Sequence, residues 1–132
     1  MAARVTVLRK YRPEIKRMRT MQTPEAVEHI AMRTSLNEGE IRFAVYELRD
    51  TILMAARRGQ AVKLEGLGTF TATVHMDGCF DLLFRPDPGL LDQLNDKTKF
   101  FGKIMNKAYI GKSADELFAL WDQEHPEDPV QE

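Results

Sequence analysis

From Ile41 to Ala55 the apolar positions recur at steps of four, three, four and three: Ile41, Val45, Leu48, Ile52 and Ala55. That spacing puts one stripe along a helix of about five turns. Asn37-Glu38-Gly39-Glu40 stands at its start as a near capping box, with Glu40 three residues after Asn37. Phe43 and Tyr46 lie off the stripe, so a second face is apolar too, as a partner surface would be. Arg57-Arg58 and then Gly59 close the helix with the residue types that suit a helix C-terminus. Upstream, Thr23-Pro24-Glu25 predicts another start, with a capping hydroxyl, proline in the first turn and an acid. That helix runs through Val27, Ile30 and Ala31 to about Thr34. Downstream the period shifts to two. Ala61 to Glu65 alternates as a strand, Gly66-Leu67-Gly68 marks a bend, and Thr69 to His75 is a second strand. Asp77-Gly78 predicts a two-residue hairpin turn. Cys79 to Phe84 returns as a third strand that Pro86 and Pro88 stop, and Gly89 to Asn95 has the length of a short helix.

The flanks are less regular. Arg4 to Tyr11 alternates roughly around Val5, Thr6 and Val7, which predicts a short edge strand limited by Pro13. Residues 14–22 are basic and Met-rich and define no element. Residues 97–112 interleave lysine with Phe100, Phe101 and Tyr109. Ser113-Ala114-Asp115-Glu116 is a capping box that opens a helix at about 113–124, with Leu117, Phe118, Leu120 and Trp121 as its apolar side. Pro126 and Pro129 fall in a tail expected to fray. These signals divide the chain into a basic N-terminal extension (1–22), a helix-and-sheet domain (23–95) and a C-terminal extension with an acidic tail (96–132).

Composition makes the chain globular, since 43% of its 132 residues are apolar. It holds no apolar run long enough for a membrane span, and Met1-Ala2-Ala3-Arg4 lacks a secretory apolar stretch. The lone Cys79 has no disulfide partner, so a reducing cytoplasm is the expectation. The net charge of −1 conceals segregation. Residues 4–19 carry net +6, residues 20–96 net −5, residues 97–112 five lysines and no acid, and residues 113–132 seven acids and no base. Two basic segments therefore flank an acidic centre, a pattern that directs a chain toward nucleic acid. Solvated surface with neutralisation inside the molecule is the plainer alternative.

Nothing points to catalysis. His29, His75 and His125 are scattered, no pair has metal-ligand spacing, and Cys79 has no second cysteine, so no metal, cofactor or small-molecule substrate is expected. Gly66-Leu67-Gly68 lacks the further residues of a dinucleotide or P-loop motif. The cluster His75, Cys79 and Asp81 around one hairpin is the only seed of an enzyme reading.

The segment Leu36-Asn37-Glu38-Gly39-Glu40, the apolar stripe, and then Arg58-Gly59-Gln60-Ala61-Val62-Lys63-Leu64-Glu65-Gly66-Leu67-Gly68-Thr69-Phe70 resembles the HU / integration-host-factor family, the bacterial histone-like proteins. Phe84-Arg85-Pro86-Asp87-Pro88-Gly89-Leu90 is similar to that family's element opening the last helix. The resemblance covers roughly residues 23–95. It implies an α+β fold: an intertwined homodimer in which two N-terminal helices precede a three-stranded antiparallel sheet. An extra N-terminal strand and a C-terminal helix would be added here. Two short helices and one small sheet cannot bury both faces alone, so Ile41, Val45, Leu48, Ile52, Phe70 and Phe84 would fill a core shared by two subunits.

The departures from the family bear on function. Its long basic arms, which reach around the minor groove and wedge a proline between base pairs, are missing, because the hairpin turns at Asp77-Gly78. Thr71, Thr73 and His75 stand where the family usually has bases, and Pro88 replaces its second late lysine, which leaves Arg85 alone. The resemblance therefore implies a non-enzymatic, nucleoid-associated, sequence-tolerant protein that binds double-stranded DNA without wedging arms. Its contacts would come from Arg4, Arg9, Lys10, Arg12, Lys63, Arg85, Lys97, Lys99, Lys103 and Lys107. The alternative is a structural or protein-interaction module that kept the fold and lost the DNA, with an acidic tail that could shield a basic surface.

Overall fold

The computed structural model describes all 132 residues. In chain order the elements are α1 (Arg4–Tyr11), β1 (Glu14–Ile15), α2 (Thr23–Arg33), α3 (Glu38–Arg57), β2 (Val62–Leu64), β3 (Gly68–Val74), β4 (Phe80–Pro86), α4 (Pro88–Leu94), β5 (Ile104–Met105) and α5 (Ala114–Glu124), with single 3-10 turns at Lys97–Lys99 and Lys107–Tyr109. The architecture is α+β with five α-helices and two antiparallel sheets. None of the helices is long and apolar enough to cross a membrane. The chain folds as two compact units: a central one (19–100) and a terminal one built from residues 1–18 together with 101–132.

In the central unit, α3 starts on an Asn37 cap whose second bond joins the Asn37 and Glu40 side chains. Asn37 Oδ1 accepts from the Glu40 amide at 2.8 Å, and the Asn37 side-chain amide donates to Glu40 Oε1 at 2.5 Å. Thr23 is the first helical residue of α2 and not its cap, because Gln22 holds that position with no side-chain bond. The sheet runs β2-β3-β4. Its register places Val62, Phe70 and Phe84 side by side across three strands, and Lys63, Thr69 and Arg85 side by side one position along. Opposed residues in antiparallel strands share a face and alternate along the strand. One face is therefore apolar (Val62, Phe70, Phe84, Ala72, Leu82, Val74, Phe80) and the other carries Lys63, Thr69, Arg85, Thr71, Thr73 and Asp81, with Leu83 as its apolar member.

The β3–β4 hairpin differs from the expected two-residue turn. His75 N donates to Cys79 O at 2.8 Å and Gly78 N to His75 O at 2.9 Å, so the loop is Met76-Asp77-Gly78. Gly78 sits at φ +88°, the left-handed position that ends a three-residue hairpin loop. The hairpin is short all the same.

In the terminal unit, α1 packs against α5, and the buried cluster is Ala2, Val7, Tyr11, Leu117 and Trp121. The edge strand expected over Arg4–Tyr11 is thus a helix. Val7 and Tyr11, four apart, are its buried positions, and Val5 faces out at 66% exposure. The only strand of the N-terminal segment is the two-residue β1, which pairs with β5 through Glu14–Met105 and Ile15–Ile104. The tail does not fray as expected. Trp121 Nε1 donates to Asp128 O at 2.7 Å, Val130 bridges Ala2, and the Met1 ammonium lies 3.1 Å from Asp128. Each of these bonds satisfies a polar group that an open tail would leave to water.

Tyr11 Oη donates to Glu124 Oε2 at 2.5 Å. Burial, followed by the neighbouring Glu124, pushes the Tyr11 phenol far above its ordinary ionisation range. The Tyr11 hydroxyl in turn holds the Glu124 carboxyl below its usual value, helped by Lys10. A lowered carboxylate stabilises the folded unit at pH above its unfolded value, about 4.3, and that contribution disappears as pH falls through the folded value. A raised phenol contributes fully below about pH 10 and loses its contribution as pH rises through its folded value. The terminal unit is therefore expected to weaken on both sides of neutrality. Tyr11→Phe should lower its stability at pH 7 and flatten both limbs, read from unfolding curves followed by the fluorescence of Trp121, the chain's one tryptophan. An unchanged acid limb in Tyr11→Phe would refute the coupling.

Candidate nucleic-acid interface

The bases expected to meet DNA are distributed over both units. Arg4, Arg9, Lys10, Arg12, Lys103 and Lys107 belong to the terminal unit, and Lys63, Arg85, Lys97 and Lys99 to the central one.

In the terminal unit, the end of α1 and the β1–β5 ribbon bring bases together. Arg9 and Lys10 fill the last turn of α1, where cations suit the helix dipole, and Arg12 caps it. Asn106 takes a left-handed conformation (φ 59°), and its side-chain amide donates to Lys10 O at 2.8 Å and Arg12 O at 3.0 Å. The turn carrying Lys107 is thereby fastened to the end of α1. Lys16 N donates to Lys103 O at 2.8 Å, which extends the ribbon by one more pair.

Three of the terminal unit's expected contacts are already engaged. The Arg4 guanidinium lies 5.6 Å from the Phe118 ring centre, and its Nε donates to Gln131 O. Lys10 is 3.5 Å from Glu124 and 5.0 Å from the Trp121 ring centre. Arg12 lies 2.6 Å from Glu14. Arg9, Lys103 and Lys107 are exposed with no acid within ion-pair distance, as are Lys16 and Arg17, which sequence reasoning did not single out. The signal for those two was present in the +6 segment, but a two-residue strand gives no periodicity to place them.

In the central unit, Lys63 and Arg85 flank Thr69 on the polar sheet face, about 10 Å apart at two strand spacings. On that face His75 Nε2 lies 3.5 Å from Asp81 Oδ2 as an exposed pair. Lys99 sits 3.8 Å from Asp96. No group of three His, Cys, Asp or Glu side chains could hold a metal ion. Over residues 19–100 there are ten bases and twelve acids, so this unit is net −2.

The opposite sheet face and α3 enclose an open cavity of about 820 Å³, lined by Ile52, Leu53, Ala56, Phe70, Ala72, Phe80 and Leu82 among others. Of the six residues expected in a shared core, Ile41 is buried at 4% exposure and Leu48, Ile52 and Phe70 are half-buried. Val45 and Phe84 are each 46% exposed within the single chain, although the Phe70 and Phe84 rings meet at 4.9 Å. Phe43 (68%) and Tyr46 (59%) are open as well.

An amphipathic helix pair feeding a glycine-bent three-stranded sheet defines the class of this α+β protein. The family model described as an HU domain fused to a winged helix-turn-helix, immunoglobulin-like or glycine-rich motif matches residues 7–81. The chain belongs to that HU-like family. Among solved structures, an HU mutant from Thermotoga maritima aligns with a TM-score of 0.49 at 18% identity, over 56% of this chain and 99% of that one. No curated protein matches the chain.

Proposed function

We propose that the chain is a homodimeric, sequence-tolerant DNA-binding protein of the nucleoid-associated kind, acting in the cytoplasm without enzymatic chemistry, cofactor or minor-groove wedging. The family match over residues 7–81 carries this reading. The dimer is supported by the uncovered apolar faces of α3 and the sheet, with the open cavity between them. Apolar surface of that extent favours a partner, and a second copy offers the same surface in return. DNA contact is supported by the exposed bases without acidic partners. The ten expected phosphate contacts remain the working set, with Arg4, Lys10, Arg12 and Lys99 each needing to leave or share a present partner.

Fluorescence anisotropy with duplexes of unrelated sequence tests the reading. Binding at 50 mM salt should be similar across sequences and fall steeply toward 200 mM as counterions are released. No binding at 50 mM would refute it. Sedimentation should show a dimer, and Val45→Glu, which would set an unpaired charge into the shared core, should give a monomer or an unfolded chain. A wild-type monomer would remove the shared core from the proposal. The second reading, a protein-interaction module without DNA binding, draws on the net −2 central unit and its short hairpin. It predicts a normal dimer that leaves DNA free at any salt.

A further inference from the structure

The pairing of β1 with β5 has an unusual electrostatic outcome. Glu14 opposes Met105 and Ile15 opposes Ile104, so the next step sets Lys16 opposite Lys103, joined by the 2.8 Å Lys16 N to Lys103 O bond. Like charges directly opposite in a ribbon are destabilising. Alternation places Lys16, Lys103, Glu14 and Met105 on one face, and Arg12 reaches Glu14 on it at 2.6 Å. The turn carrying Lys107 is fastened through Asn106 to the end of α1, whose last turn carries Arg9. Neither lysine of the opposed pair has an acid within ion-pair distance.

Lack of acids does not explain this. Residues 101–132 carry seven, and four of them serve elsewhere: Glu116 faces Lys112, Asp122 accepts from the Val130 amide, Glu124 from Tyr11, and Asp128 meets the Met1 ammonium. The unit thus separates its charges, with a basic ribbon at one place and acids around α5 and the chain ends. An anionic ligand with repeated phosphates would neutralise the ribbon. Among such ligands a duplex backbone suits it better than a lipid surface. Met105 is the only apolar side chain of that face within the paired residues, and α1 turns its own apolar residues inward onto α5.

We propose that backbone contact has moved from the HU-like sheet to this ribbon: Arg12, Lys16 and Lys103, with Arg9 and Lys107 on the turns that Asn106 fastens together, form the chain's site for duplex-DNA phosphates. The proposal rests on the DNA-binding reading above and assigns it to the terminal unit.

The test compares the full-length protein with two double variants, Lys16→Gln/Lys103→Gln in the ribbon and Lys63→Gln/Arg85→Gln in the sheet, by anisotropy on unrelated duplexes between 50 and 200 mM salt. Removing two phosphate contacts should lower the salt slope by about 2 and weaken binding roughly 10–60-fold at 100 mM, equally for every sequence. The sheet variant should weaken binding clearly less than the ribbon variant does. Lys16→Arg/Lys103→Arg, which keeps the charge, should bind like the parent. Because the glutamine pair relieves a like-charge contact, its melting temperature should match or exceed the parent's, which separates lost binding from lost folding. If the sheet variant carries the loss and the ribbon variant binds normally, the inference is overturned while DNA binding stands. If the parent binds no DNA at 50 mM, both fall. Ribbon-dependent binding to phosphatidylserine vesicles in place of DNA would overturn it in favour of a lipid surface.

Discussion

Replacing Gly68 by alanine is expected to unfold the central unit. Gly68 is buried at the start of β3, at φ +154°, between Leu64 and Pro86 in the register. A Cβ there would overlap the Arg85 carbonyl oxygen and stand 2.6 Å from Phe84 Cε2. The oxygen is backbone and cannot rotate away, and the Phe84 ring lies against Phe70. Backbone strain and overpacking each cost about 1–3 kcal/mol. The sum, about 2–6 kcal/mol, is a large part of the 5–15 kcal/mol by which domains are usually stable. Gly66 is the control: its φ is +79°, but an added Cβ meets nothing within 4 Å. Gly66→Ala should cost only the left-handed backbone penalty, about 1–2 kcal/mol. Denaturant midpoints followed by far-ultraviolet circular dichroism would rank the two variants, and equal midpoints would refute the steric account.

Trp121→Ala is expected to dissolve the terminal unit and leave the central sheet intact. Trp121 is 8% exposed, stacks on His125 at 3.9 Å, meets Tyr11 edge-on at 6.4 Å, and donates to Asp128 O. Truncating a buried tryptophan costs about 3–5 kcal/mol. The cluster that must absorb this loss has five buried residues, two of them alanine and valine from the first seven positions. Hydrogen exchange should show protection lost from α1 and α5 and kept in β3 and β4. Protected amides in α1 and α5 would show that the unit stands without its tryptophan.

The central unit was legible because its signals are local. The stripe Ile41–Ala55, the Asn37 cap and the glycine bend at 66–68 each declare an element within a few residues. The loop at Met76–Gly78 was misjudged by one residue, since the same Asp-Gly pair suits a two-residue turn and the end of a three-residue one. The terminal unit was illegible for a different reason. Val5, Thr6 and Val7 have strand propensity, but the burial that turns Arg4–Tyr11 into a helix comes from Leu117 and Trp121, more than a hundred residues away. Proline in the tail suggested fraying, and only the position of Trp121 shows why Asp128 and Val130 are held. Of the interface, the basic segments were visible in the charge pattern. That Lys16 meets Lys103 was not, because the pairing of two-residue strands leaves no periodicity to read.

The hydrogen bond from Tyr11 to Glu124 spans 113 positions. During synthesis, residues 1–18 leave the ribosome well before α5 and then wait for it. At the usual 5–20 residues per second the wait is on the order of 5–20 s. Residues 19–100 form a compact unit without α5, so the strands of the middle of the chain can pair within that interval, before the two ends meet. The first helix meanwhile travels as an open, strongly cationic segment of net +6 over residues 4–19. That segment is free to meet polyanions, nascent RNA included, until the acidic C-terminal helix arrives to take up Lys10 and bury Tyr11.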